Sequence, residues 1–177
     1  MLGSKSFYRP GFEYKTISEY GISQYQPDVL ERMLDQANGE ENREQLLDDM
    51  LQMLALDIFM GQTDRYAFNY EFEEDKHHNI RLAPLFDFEY SLRPHFVNEN
   101  DVCYGDLAQL RSIENCKEFI KRYPEFRDLL ASYLDESLIS NVRCAYAKRG
   151  MQVSDKHIEA FQDFEKKQKA KIKKIVL

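Results

Sequence analysis

The sequence predicts a mainly α-helical protein that contains one small β-hairpin. The first observation is the stretch at 42–60, which is amphipathic at its start and apolar from Met53 onward, and whose length and spacing fit a helix. The second is a series of apolar stripes that begins at Ile113 and keeps helical spacing to the end of the chain. The third is a pair of short extended segments, 69–73 and 80–82, on either side of a charged turn. Together they predict a helical bundle in a single domain over residues 1–177.

The composition narrows the classes of function. The 177 residues are 43% apolar and 31% charged, as is typical of a globular protein. The net charge of −7 argues against direct nucleic-acid binding, which usually needs a basic footprint. The sequence has no apolar run of about 18 residues and no signal-peptide pattern, so we expect no membrane partner. Cys103, Cys116 and Cys144 lack metal or redox spacing, which indicates reduced, buried thiols and a cytoplasmic location.

The N-terminal part is expected to lead from a tail into a short helix. Residues 1–26 mix aromatic and polar side chains around Pro10-Gly11, which predicts a tail or linker with one short extended piece. Pro27 suits the first turn of a helix. Asn38-Gly39 should end that helix. Its apolar positions share one face: Val29, Leu30, Met33 and Leu34.

The helix at 42–60 changes character along its length. It begins amphipathic, and from Met53 onward it is apolar nearly all round, so we expect its far end to be buried. Gly61 supplies a left-handed stop. Asp57 lies inside the apolar stretch, where a carboxylate has to be hydrogen-bonded or paired. For Asp57, a structural brace for the following loop is favoured over direct chemistry.

The rest of the chain predicts a hairpin, a loop and then helices. The hairpin combines a strand at 69–73, a turn at 74–78 and a strand at 80–82, and the stretch 91–105 is loop-like. The expected helices are short ones at 106–110 and 113–120, one opened by Pro124, one capped by Asp135 and ending at Gly150, and one capped by Ser154. The helix that ends at Gly150 carries an apolar stripe of Leu138, Ile139, Val142, Ala145 and Tyr146.

Three polar side chains stand at a spacing that suits phosphoryl transfer. Asp64 and Asn69 lie five residues apart in the loop after the long helix, and Asp87 follows eighteen residues later. A kinase catalytic loop needs an Asp that receives the acceptor hydroxyl and an Asn that holds a metal, and a later Asp supplies the second metal ligand. Oxygen ligands suit Mg²⁺ because it is a small, hard cation. Each residue alone would be an ordinary loop or turn residue, but the set favours a functional site.

These residues belong to two segments that resemble the C-terminal lobe of HipA-type serine/threonine kinases. The segments are Asp57-Ile-Phe-Met-Gly61-Gln-Thr-Asp64-Arg65-Tyr-Ala-Phe-Asn69 and Leu82-Ala-Pro-Leu-Phe-Asp87. That family typically shows an apolar helix ending in Gly-Asn-Thr-Asp-Arg-His, an Asn five residues past the Asp, and a later Leu-Ala-Pro-x-Tyr-Asp. The similarity covers about 35 residues. Gln62 and Tyr66 depart from the pattern, where the family has Asn and His.

The resemblance implies a protein-kinase-like C-terminal lobe, a helical bundle around a catalytic loop. Asp64 would be the catalytic base, and Asn69 and Asp87 would hold Mg²⁺ and, through it, ATP. Arg65 would belong to the same catalytic loop and hold it, or a nearby acid, through its fork of donors. The substrate would be a protein with a Ser or Thr acceptor, and the family also suggests a toxin–antitoxin setting with an antitoxin-like partner.

The sequence also lacks an expected part of a kinase, namely the Gly-rich cover over the phosphates with its strand Lys. Its seven glycines form no such cluster. Three explanations stay open: a fragment of a longer kinase, one subunit of a split kinase with a separate N-lobe, or a degenerate relative. Two other functions also stay open, a non-catalytic pseudokinase-type binding module and a lipid or small-molecule kinase.

Two further features favour ordinary structural roles. His77-His78 sits in the charged turn without a third ligand at zinc spacing, so exposed turn residues are expected. Residues 150–177 carry seven lysines against four acidic residues. A solvated helix face is favoured for this run over docking onto an acidic partner or nucleic acid.

Overall fold

A computed structural model describes residues 8–26, 28–85 and 108–177. Within these ranges the chain forms six α-helices, one 3₁₀ helix and a three-stranded antiparallel sheet. The mainly α prediction is confirmed, although the sheet has one strand more than a hairpin. The chain divides into two compact units, one with residues 8–53, 64–85 and 108–109 and the other with 54–63 and 110–177, each as far as it is described. The single domain over the whole chain stays a prediction.

The sheet belongs to the first unit and includes residues that were expected to form a tail. Strand β1 (Phe12–Lys15) pairs with β2 (Phe72–Asp75), which pairs with β3 (Ile80–Leu82), so β2 is central. In this register Phe12 lies opposite Asp75, and Phe72 lies opposite Leu82. The one short extended piece that was expected within residues 1–26 is therefore present, as the edge strand β1.

Two glutamates of β2 are buried, and both are paired. Glu73 is 3% exposed and bonds with Arg9 and with the Tyr14 hydroxyl, the latter at 3.3 Å. Glu74 is 9% exposed, and Lys15 donates to it at 2.7 Å. These partners let a strand of the sequence Phe-Glu-Glu-Asp exist inside a sheet, because a buried carboxylate is tolerated only when it is paired.

The hairpin turn is shorter than predicted, since residues 74 and 75 belong to β2 rather than to the turn. Asp75 organises it by accepting from the amides of His77 at 2.8 Å and Asn79 at 3.0 Å. His78 takes a left-handed φ of 64° there. Both histidines are exposed, as expected, and His78 Nδ1 lies 2.6 Å from a carboxylate oxygen of Glu74.

One helix and the first part of a second helix complete the first unit. Helix α1 (Val29–Leu34) buries the four apolar residues that were predicted to share its face. Helix α2 (Glu40–Met60) starts two residues before the predicted helix and ends where expected. From Leu54 onward its side chains are buried except at two positions of intermediate exposure, which agrees with the predicted apolar far end. Asn42 of α2 donates to the carbonyl of Ile80 at 2.8 Å and accepts from its amide at 2.9 Å, which fixes the start of β3.

Four helices build the second unit together with the end of α2. They are α3 (Ile113–Arg122), α4 (Glu125–Ser132), α5 (Leu138–Ala147) and α6 (Asp155–Val176). The long helix α6 contacts the other three. Its apolar stripe supplies Ile158, Phe164, Ile172 and Ile175 to the core, and Ser154 caps it as predicted. Phe59 of α2 stacks on Tyr133, with ring centroids 4.7 Å apart.

Two predictions in this part of the chain are wrong. The cap of α5 is Ser137, whose hydroxyl accepts from the amide of Ser140 at 3.2 Å, and not Asp135, which lies in the turn after α4. Cys144 is exposed rather than buried. Cys116 is buried as expected, and burial raises its pKa to about 12. Residues 108–110 are not helical, whereas 106, 107 and Cys103 lie outside the described residues.

The apolar stripe of α5 is covered only at its first turn. Leu138 is buried, Ile139 and Val142 are partly exposed, and Ala145 and Tyr146 are exposed. Met151, just beyond the helix, is 47% exposed. The second half of α5 therefore presents apolar side chains to solvent. In the part of the chain that the structure describes, no helix combines the length and apolar character that crossing a membrane requires.

Candidate functional site

Gly61 ends α2 and turns the chain into the loop that carries the candidate residues. Its φ is +60°, in the left-handed region, and its amide donates to the carbonyl of Ile58 at 3.2 Å. A Cβ at this position would come within 3.0 Å of the Phe164 ring and still closer to the side-chain amide of Gln168. Glycine is therefore required by the backbone angle and by the packing. The predicted left-handed stop is confirmed.

Asp57 and Gln62 are fully buried where α2 meets the loop. The amide of Gln62 donates to the main-chain oxygen of Asp57 at 2.8 Å, and the side-chain oxygen of Gln62 accepts from the amide of Thr63 at 3.0 Å. Gln62, one of the departures from the HipA pattern, thus supports the first residues of the loop. Burial is the main cause that raises the pKa of Tyr133, and the negative charges of Glu136 and Asp57 raise this pKa further. A bracing role for the Asp57 side chain stays a prediction.

Three hydrogen bonds close the loop between Asp64 and Asn69. Arg65 Nη1 donates to the main-chain oxygen of Asn69 at 2.7 Å, and the amide of Asn69 donates to the main-chain oxygen of Tyr66 at 2.8 Å. Asn69 Nδ2 donates to the main-chain oxygen of Asp64 at 2.5 Å. Arg65 is 1% exposed, so its guanidinium acts on the loop backbone from the inside. This agrees with the expectation that its donors hold the loop, whereas a part in catalysis stays a prediction.

The bond from Asn69 to Asp64 fixes the orientation of the Asn69 amide. A main-chain oxygen can only accept, so the nitrogen and not the oxygen of the side chain must face it. Asn69 Oδ1 is therefore the atom of this amide that can serve a ligand. An amide oxygen whose orientation is fixed by the hydrogen bond of the amide nitrogen suits a hard cation such as Mg²⁺. Asp64 is half-buried on the same loop.

Asp87, the third residue of the set, lies outside the described residues. The chain that leads to it is described up to Leu85. The amide of Ala83 donates to the carbonyl of Glu71 at 2.9 Å, so the Leu-Ala-Pro segment runs beside the residues that follow Asn69. The structure thus places the Asn69 side chain against the main chain of Asp64, and the convergence of the Asp64 and Asp87 carboxylates with Asn69 stays a prediction.

Ordinary metal ligands do not cluster in the described ranges. Among those residues, no group of three or more His, Cys, Asp or Glu side chains is placed to hold a metal ion. A set that combines Asn69 with Asp87 falls outside that description, because one member is an amide and the other is not described. The exposed His77 and His78 agree with the expectation that they are turn residues.

An exposed aromatic residue inside the loop was missed by sequence reasoning. Phe68 is 77% exposed, although its neighbour Ala67 is buried. Both line a cleft of about 430 Å³. The sequence feature that could have indicated Phe68 is an aromatic residue directly before a candidate ligand, in a loop whose sequence pattern does not predict its burial. The other walls of the cleft come from β1, the 3₁₀ helix (Ile17–Tyr20) and the following turn: Thr16, Ile17, Ser18, Gly21, Ile22, Ser23 and Gln24.

The basic run at the end of the chain is exposed over most of α6. Lys167 pairs with Asp163 at 2.8 Å, and Lys169 pairs with Glu165 at 2.9 Å, each one helical turn away. Lys171 is the exception, because it is only 6% exposed. The predicted solvated face therefore describes most of these lysines, and the burial of Lys171 is not evident from the charge pattern.

Comparisons with protein-family models, with curated proteins and with solved structures found no match.

Proposed function

We propose that this chain is the large lobe of a HipA-like serine/threonine kinase. It would transfer the γ-phosphate of ATP to a Ser or Thr hydroxyl of a protein substrate. The clamp over the nucleotide phosphates would come from outside these 177 residues, on a separate N-lobe segment or subunit. The resemblance also suggests an antitoxin-like protein as a partner. The observation that carries the proposal is the closed loop in which Asn69 Nδ2 donates to the main-chain oxygen of Asp64 at 2.5 Å. The Asp and the Asn of a kinase catalytic loop have the same sequence spacing.

The proposed roles follow from the chemistry of each side chain. The Asp64 carboxylate would accept the proton of the substrate hydroxyl, provided that the hydroxyl comes within hydrogen-bond reach. Asn69 Oδ1 and the carboxylate of Asp87 would hold Mg²⁺. Bound Mg²⁺ would neutralise charge on the ATP phosphates. Arg65 would keep the loop in shape, because its guanidinium donates to the main-chain oxygen of Asn69.

The preformed loop supports a catalytic role over that of an ordinary turn. Catalysis by positioning requires side chains that are held before the substrate arrives. Here the buried guanidinium of Arg65 and the side-chain amide of Asn69 both hydrogen-bond to the backbone of the loop that carries Asp64. An ordinary surface turn needs no buried guanidinium, since water can serve its main-chain oxygens.

The test is transfer of labelled γ-phosphate from ATP by the full chain in the presence of Mg²⁺. We expect phosphoserine or phosphothreonine on an added protein mixture, or at least binding of Mg²⁺-ATP at millimolar concentration. Asp64→Asn should abolish transfer while leaving the melting temperature unchanged. Asp75→Asn is the matched control, because Asp75 organises the hairpin turn and not the loop. Neither binding nor transfer, or equal transfer by Asp64→Asn, would refute the kinase proposal.

A non-catalytic binding module is the second candidate, and the uncovered half of α5 favours it. Tyr146 and Met151 leave an apolar surface in water that a partner protein would bury. This function predicts that the chain does not bind nucleotide. The transfer and binding measurements above separate the two.

A further inference from the structure

The cleft beside the candidate loop has the size and the lining of a binding site for a neutral, apolar group. Its volume of about 430 Å³ falls in the range of about 300–1,000 Å³ that is usual for ligand pockets. Ile17, Ile22, Ala67 and Phe68 supply apolar walls. The remaining described lining groups are hydroxyls, an amide and a glycine, and none of the described lining side chains is charged. Because these described walls offer an ion no opposite charge, they favour an uncharged occupant.

Phe68 makes the cleft unusual. A side chain this apolar and 77% exposed contributes little to folding, but it offers favourable hydrophobic contact to whatever covers it. Ala67, by contrast, is 6% exposed and anchors the loop on the inner side. The ring is thus carried on a fixed backbone, which lowers the entropy that binding costs.

Polar groups also line the cleft. The hydroxyls of Thr16 and Ser18 lie 2.8 Å apart, and the hydroxyl of Ser23 accepts from the amide of Tyr25 at 3.3 Å. Because a hydroxyl oxygen has two lone pairs, these groups can accept a further hydrogen bond from a main-chain N–H of an occupant.

The position of the cleft connects it to the proposed chemistry. Phe68 precedes Asn69, whose amide reaches the main-chain oxygen of Asp64. We propose that the cleft binds an apolar side chain that neighbours the acceptor Ser or Thr of the substrate protein, with the Phe68 ring as one wall. The identity of this occupant rests on the proposed kinase function. The site would make the enzyme selective for acceptors in apolar sequence contexts.

The experiment compares two blocked peptides, Ala-Phe-Ser-Phe-Ala and Ala-Gly-Ser-Gly-Ala, by NMR of isoleucine methyl groups in the full chain. We expect the Phe peptide to shift the methyl signals of Ile17 and Ile22, and the Gly peptide to leave them in place. The signals of Ile158 and Ile172, which lie in the core of the second unit, serve as internal references.

Variants at Phe68 make the test specific. Phe68→Ala should weaken binding of the Phe peptide at least fivefold, and Phe68→Leu should retain most of it, because leucine keeps an apolar wall. Tyr25→Ala is the matched control, since Tyr25 is an aromatic residue that is 85% exposed and does not line the cleft. Equal binding of both peptides, or unchanged binding by Phe68→Ala, would overturn the proposal.

The phosphate-transfer assay keeps this proposal distinguishable from the proposed function. If the chain phosphorylates both peptides equally and Phe68→Ala changes nothing, the kinase proposal stands and the cleft proposal is wrong. If the Phe peptide shifts Ile17 and Ile22 but the chain neither binds nor uses Mg²⁺-ATP, the kinase proposal is wrong, and with it the assignment of the occupant as an acceptor sequence. Selective phosphorylation of the Phe peptide that Phe68→Ala removes would support both.

Discussion

Replacing Asn69 with Ala isolates the hydrogen bond on which the loop geometry depends. The change removes the donor to the main-chain oxygen of Asp64, a bond of 2.5 Å, and with it the proposed metal-binding oxygen. A neutral hydrogen bond at a half-buried site contributes about 1 kcal/mol to the free energy of unfolding. For a chain of this length, that corresponds to a fall of about 2–4 °C in melting temperature.

A larger effect of Asn69→Ala is expected on nucleotide binding. Loss of a metal-binding oxygen should weaken Mg²⁺-ATP binding about tenfold or more. Thermal denaturation followed by circular dichroism gives the stability, and calorimetric titration gives the affinity. The matched control is Asn79→Ala, because the Asn79 amide donates to Asp75 at 3.0 Å in the hairpin turn. Asn79→Ala should lower stability and leave Mg²⁺-ATP affinity unchanged. Equal affinities of the two variants would refute the reasoning about Asn69.

Two further perturbations test the fold around the site. Gly61→Ala should destabilise the protein by about 2–4 kcal/mol in urea denaturation, because it combines a left-handed backbone with overpacking against α6; a variant as stable as the wild type would show that the turn can relax. Glu74→Gln should lose less stability than the wild type when the pH is lowered. Hydrogen bonding from Lys15 is the main cause that lowers the pKa of Glu74, so its carboxylate stabilises the fold above the unfolded pKa of about 4.3, and this contribution disappears as the pH falls through the folded value. Denaturation measured between pH 7 and pH 3 compares Glu74→Gln with the control Glu44→Gln, which lies on the exposed face of α2. Parallel curves of stability against pH for the wild type and Glu74→Gln would contradict the assignment of this pH dependence to Glu74.

Strong local periodicity is what made much of the fold predictable. Several features follow from patterns within a few residues. They are the buried face of α1, the end of α2 at Gly61, the end of β3 at Leu82 and the Ser154 cap. Asp64 and Asn69 could be brought together from sequence for the same reason. Only five residues separate them, and the loop that joins them closes through local hydrogen bonds.

Features that depend on distant partners could not be predicted. Strand β1 pairs with residues about sixty positions away, and the buried Glu73 is acceptable only because Arg9 and Tyr14 reach it. The exposure of α5 beyond Leu138 depends on how much of the helix its neighbours cover, which its own stripe does not encode. The cap at Ser137 in place of Asp135 reflects the length of the turn that leaves α4.

The most direct test of the central claim is paramagnetic broadening by Mn²⁺-ATP, with Mn²⁺ in place of Mg²⁺, of the amide signals of the labelled full chain. The proposed function predicts selective broadening of the side-chain amide of Asn69 and of the loop around Asp64, and its loss in Asp87→Asn. Broadening spread over the acidic surface, or broadening at the loop that persists in Asp87→Asn, would contradict a metal-nucleotide site built from Asn69 and Asp87.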